Sequence, residues 1–155
     1  MRGLLSLAVL MMFSSCVSYS DLRPMYPEVG HPVYHVITVE SLRPTLRWQA
    51  SPKAKEGYDL VVYEGPETFF AYMERGEHTT VYAREGIQQT EHALETPLQP
   101  DRYYLWSVRE HTAAGTADWS KYTYSSALPV PPFFWWTSGQ LFRFKTPVSA
   151  VTATH

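Results

Sequence analysis

Cys16 is the only cysteine in the 155-residue chain. A thiol can attack a carbonyl, ligate a metal, close a disulfide or receive a lipid. A lone cysteine has no internal disulfide partner, so in an exported chain it calls for another use. The remaining groups of chemical interest are dispersed. His31 and His35 stand four apart, a spacing that suits a zinc pair on a helix. In a strand the same spacing puts them on one face but roughly 14 Å apart along it, at ~3.4 Å per residue. His78, His92 and His111 lack an acidic or histidine partner at metal-ligand spacing along the chain. Glu64 and Glu67 bracket Pro66 and read as solvated turn charges, as do Asp101 and Arg102. There is no G-x-S-x-G, H-E-x-x-H or P-loop pattern. With no nucleophile paired to a base, we expect a non-enzymatic protein without metal or cofactor.

The residues around Cys16 narrow its use. Met1 and Arg2 make a short basic start, and Gly3 to Phe13 is an uncharged apolar stretch. It is shorter than the ~20 residues a spanning helix needs and has the length of a signal-peptide core. Ser14 and Ser15 are small and precede the cysteine directly. Phe13-Ser14-Ser15-Cys16 resembles a lipobox, with Phe13 where Leu is usual. The resemblance implies a bacterial lipoprotein: residues 1–15 are a signal peptide, the Cys16 thiol receives a diacylglycerol, and the new amine is acylated. Several acyl chains, at ~0.8 kcal/mol per buried CH₂, hold such a protein stably on a membrane. Val17 follows, not the Asp that retains many such lipoproteins at the inner membrane. The implied location is the outer membrane, facing the periplasm. In a one-membrane bacterium it is the cell surface.

The elements that must position this chemistry are strands. Eleven Tyr, five Trp and an aromatic content of 15% suit a β-rich domain, and twelve Pro oppose long helices. A formal net charge of -2 gives no basic surface for nucleic acid. Residues 16–31 contain Ser, Pro and Gly without periodicity and read as an extended tether. Strands are expected at Val33–Val39, Thr45–Trp48, Tyr58–Glu64, Val81–Arg84, Thr90–Leu94, Tyr103–Glu110, Trp119–Tyr124 and Leu141–Lys145. Insertions fall near 65–80 and 125–139. Pro66 could open a short helix over 66–75, and residues 148–155 read as a flexible tail. Some seven short strands separated by turn signals make an all-β sandwich.

Leu98-Gln-Pro100-Asp-Arg-Tyr103-Tyr104, followed by Trp106 and Val108, resembles the tyrosine-corner motif of fibronectin type III domains. Pro44, Leu46 and Trp48 resemble that family's second strand. Tyr58 to Val62 resembles its third, and Phe142 to Pro147 the end of its last. The resemblance covers residues 32–147. It implies that Tyr104 is buried and hydrogen-bonds the backbone of the connection before it, with Leu98 and Pro100 shaping that connection.

Leu128 to Trp136 reads LPVPPFFWW. Its prolines oppose regular structure, and Phe133, Phe134, Trp135 and Trp136 cannot all enter one core from a strand, where neighbours point to opposite faces. Three roles compete: a cap on the sandwich, a protein-contact surface, or contact with membrane or sugar rings. The resulting expectation is an envelope lipoprotein whose domain binds another envelope protein. The alternative is a module binding peptidoglycan or another glycan.

Overall fold

β-branched and aromatic residues favour pleated, half-buried backbone, and every regular element among the described residues is a strand. The computed structural model describes residues 15–29, 36–67, 78–127 and 134–149. The strands are β1 (Ser15–Tyr19), β2 (Pro24–Tyr26), β3 (Ile37–Thr38), β4 (Thr45–Trp48), β5 (Tyr58–Glu64), β6 (Thr80–Ile87), β7 (Glu91–Ala93), β8 (Tyr103–Thr112), β9 (Gly115–Thr116), β10 (Tyr122–Ala127), β11 (Phe134–Gln140) and β12 (Phe142–Lys145). They form three sheets. The largest runs β3-β12-β8-β5-β6, with β9 paired to β8; the others are β2-β4-β7 and β1-β10-β11.

The core lies between the two sheets that hold β8 and β4. Leu60 and Val62 of β5, Trp106 and Val108 of β8, Phe142 and Phe144 of β12, and Leu46 and Trp48 of β4 share one buried cluster. Register lines them up. Val62 stands opposite Trp106, and Trp106 opposite Phe142. The indole of Trp106 meets the Phe142 ring edge-on at 5.1 Å, and Trp48 meets Tyr58 across the sheets at 5.6 Å. Such tilted contacts suit the ring quadrupoles.

The last part of the chain takes a detour. Ala117 N–H donates to Glu110 O at 2.9 Å and Ser120 N–H to Val108 O at 3.0 Å. Pairing with β8 resumes where Phe142 stands opposite Trp106. Two positions along β8 thus separate the chain's departure from its return. Between them β10 and β11 pair antiparallel, and β1 pairs antiparallel with the outer side of β10. The register slips between Tyr122 and Tyr124. Gly139, at φ 70°, sits in the extra residues of that bulge, where positive φ favours glycine.

Several expectations change. The segment read as a tether is structured: it holds β1 and β2, and Leu22 is 4% exposed within the core. Its lack of periodicity was a poor guide because its partners are distant. Leu22 N–H donates to Ser120 Oγ at 3.1 Å, and Ser20 N–H to Lys121 O at 2.9 Å. The insertion at 125–139 is also partly regular. Its prolines fall outside the described residues, and the aromatic residues after them continue as β11. The first expected strand is described only over residues 36–39 and is a strand there at Ile37–Thr38. The expected helix falls mostly on residues outside the described ones, and Pro66 and Glu67 are not helical. His31, His35, Phe133 and residues 150–155 of the tail likewise lie outside the described residues.

Candidate functional site

The sheet β1-β10-β11 brings the cysteine and the aromatic run together. Cys16 stands opposite Ser125, and Ser125 opposite Trp136. One residue outward, Ser15 stands opposite Ser126 and Ser126 opposite Trp135; beyond them Ala127 faces Phe134. Cys16 and Trp136 therefore share one row, two strands apart, or roughly 10 Å at the usual strand spacing. Three positions inward, Tyr19 stands opposite Tyr122 and Tyr122 opposite Gln140. That row fixes the sheet to the sandwich. Tyr122 hydroxyl donates to Gln140 Oε1 at 3.2 Å, and Phe142 packs against the rings of both Tyr19 and Tyr122 at 6.3 Å. Burial pushes the Tyr122 hydroxyl up to about 12, so it stays a donor at any physiological pH.

The three strands are also chemically uniform. No Asp, Glu, Lys, Arg or His occurs from Tyr122 to Gln140, nor from Ser15 to Tyr19. Charge returns only beyond the base row, at Asp21, Lys121 and Arg143. Sequence reading singled out Cys16 and Phe133–Trp136 separately. Their adjacency was missed because β1 and β10 are about a hundred residues apart, and a strand without a charge or a strict alternation carries no pairing signal.

A second cluster was missed altogether. Asp59 of β5 is 1% exposed. Its carboxylate accepts from Arg109 Nε at 2.9 Å and from Gly86 N–H at 3.2 Å, and it pairs with His111 Nε2 at 2.8 Å. His111 Nδ1 lies 3.1 Å from Thr116 Oγ1. Burial alone would raise the Asp59 carboxyl. The hydrogen bonds from His111, Gly86 and Arg109 outweigh it and hold the pKa below the ordinary value. Hydroxyl, imidazole and carboxylate in line resemble a nucleophile relay. Here, however, the carboxylate is shared with a guanidinium that also stacks on Trp119, 4.4 Å from the ring centre. The arrangement pins β5, β6 and β8 together. The signal available in sequence was Asp59 itself, a carboxylate inside an otherwise apolar strand.

At the other end of β8, Tyr104 is 3% exposed and its hydroxyl accepts from Gln99 N–H at 3.0 Å. Leu98 is buried beside it in the core, while Pro100 is exposed. Thr146, fully buried, ties the same connection to β12: its hydroxyl donates to Gln99 O at 2.7 Å and accepts from Arg102 N–H at 3.0 Å. Asp101 sits there at φ 54°, a conformation Asp tolerates, and pairs with Lys145. This is a structural device.

Two of the surface cavities are open to solvent. One, about 190 Å³, is bordered by Asp21, Lys53 and Glu110; another, about 430 Å³, by Glu40, Arg43 and Arg47. Neither touches Cys16 or the Asp59 cluster. Among the described residues no group of three His, Cys, Asp or Glu side chains could hold a metal ion, and no helix is long and apolar enough to cross a membrane. Compared with protein-family models, curated proteins and solved structures, the chain matches none.

Proposed function

We propose that this chain is a bacterial envelope lipoprotein, anchored through Cys16, that works by binding and not by catalysis. The observation that carries the reading is the place of the lone cysteine. It follows a basic start and a short apolar leader, and it is the second residue of the first strand. Cleavage before Cys16 removes the leader together with Ser15 and leaves Cys16 to Tyr19 of that strand paired with β10.

The domain is, in our reading, of the fibronectin type III kind. The strand orders β2-β4-β7 and β12-β8-β5-β6, with the buried Tyr104 of β8 bonded to the connection before that strand, support it. Such a sandwich offers strand edges to partners. Among the described residues β6 pairs on one side only, with β5, and Val81 within it is 40% exposed. We assign the protein partner, another envelope protein, to this edge. Val17 after the anchor favours the outer membrane, facing the periplasm.

Metabolic labelling with a fatty acid tests the anchor. The wild-type chain should incorporate label and yield an N-terminal peptide beginning at a Cys16 that bears the diacylglycerol. The Cys16→Ala variant should incorporate none. An unlabelled wild type, or equal label in the variant, would overturn the reading.

A further inference from the structure

Lipidation fixes the height of one residue above a bilayer. In a flexible tether that would say little about the rest of the domain. Here the anchored residue is already part of a sheet. β1 begins at the cysteine after cleavage, and its partner residues are set by register: Cys16, Ser125 and Trp136 in one row, with the Ser126–Trp135 and Ala127–Phe134 pairs further out. The row spans roughly 10 Å across two strand spacings, and the base row of Tyr19, Tyr122 and Gln140 lies three residues back toward the sandwich.

We propose that the β10–β11 hairpin is a second membrane contact, resting Phe134, Trp135 and Trp136 at the headgroup level of the leaflet that holds the Cys16 lipid. The proposal rests on the anchor reading above. Three observations carry it. The register puts the aromatic positions level with the anchor and just beyond it. The residue types suit that depth, since Trp concentrates where hydrocarbon meets water. The whole sheet lacks charged residues, which reappear only at its base; an ion carried into the interface would oppose insertion. A single lipid-bearing residue leaves a domain free to swivel. Two contacts side by side restrict its orientation.

The occupant is the lipid itself. The test uses the full chain, expressed and processed in bacteria, then reconstituted into vesicles of phosphatidylethanolamine and phosphatidylglycerol whose acyl chains are brominated near the headgroup. Tryptophan emission should be quenched and shifted to the blue. Trp48 and Trp106 are buried in the sandwich and contribute little to the change. A Trp135→Phe, Trp136→Phe double variant keeps aromatic bulk and should lose most of the lipid-dependent quenching at an unchanged melting temperature. The N-terminal mass is measured on the same samples. A chain without acyl groups overturns the anchor reading and the contact built on it. With the acyl groups present, wild-type quenching no greater than the variant's overturns the hairpin contact alone. Shielding from acrylamide that requires other membrane proteins, and not lipid alone, assigns the segment to a protein partner and equally overturns it.

Discussion

The sheet built on β8 and the sheet built on β10 handle charge in opposite ways. The first carries Asp59, Arg84, Arg109, Glu110, Arg143 and Lys145 among the charges within its strands and pairs several of them inside the domain. Asp59 is enclosed by Arg109, His111 and the Gly86 amide, and Lys145 reaches Asp101. The second carries no charge at all and is held to the sandwich at its base, by the Tyr122–Gln140 bond and the rings around Phe142. A buried ion must be paired where it lies. An uncharged sheet makes no such demand on its own fold, and is free to meet an apolar surface. One sheet pairs ions within the domain, and the other has none to pair, which suits the membrane contact proposed for it.

Three substitutions on the sandwich side sharpen that contrast, and each variant that folds should keep its lipid-dependent quenching at the hairpin. Trp106→Ala has the largest expected effect. The side chain is fully buried against Val62 and Phe142, and removing a buried aromatic costs about 3–5 kcal/mol. Chemical denaturation should show a midpoint shift of that size, or no folded state. A loss below about 1 kcal/mol would place the core elsewhere.

Asp59→Asn comes next. Breaking a buried ion pair costs about 3–5 kcal/mol, and the partial exposure of Arg109 and His111, 29% and 25%, brings the expectation down to about 2 kcal/mol. The pH dependence follows from the lowered carboxyl. A depressed folded pKa gives stability that is present above the unfolded value, near 3.8, and is lost as pH falls through the folded one. The wild-type melting temperature should drop on the acid side of about pH 4, and the Asn variant should show a shallower drop. Parallel acid limbs would remove Asp59 from the account.

Tyr104→Phe is the smallest. It deletes one hydrogen bond, from Gln99 N–H, and keeps the ring stacked 5.7 Å from Phe144. A loss of about 1 kcal/mol is expected, read as a lower melting temperature. No change would mean that the bond to the connection contributes nothing to stability.

Where residues alternate over a strand's length, the sequence was a sound guide. Thr45–Trp48 and Tyr58–Glu64 were expected with the bounds they have, and Tyr103–Glu110 extends by two residues to Thr112. The all-β class followed from those same runs. What stayed hidden depends on distant partners. Leu22 is a single apolar residue in a polar stretch, and only the fold shows that Ser120 waits for its amide. The Asp59 cluster joins residues some fifty positions apart. The prolines at 129, 131 and 132 suggested an irregular insertion, although the residues that follow them have high strand preference and pair with β10. Cys16 and the aromatic run were each visible from their residue types. Their shared row was not, because register is written by backbone pairing and not by either segment alone.

The detour between Ser120 and Phe142 has a consequence for inheritance. The chain steps off the edge of β8 opposite Val108 and steps back on opposite Trp106, so one residue in place of the whole excursion would carry the strand straight through. A sandwich with this geometry can gain, lengthen or exchange the hairpin while its own hydrogen-bond ladder keeps count. Related domains could thus differ greatly in how they sit on a surface and still share the same core.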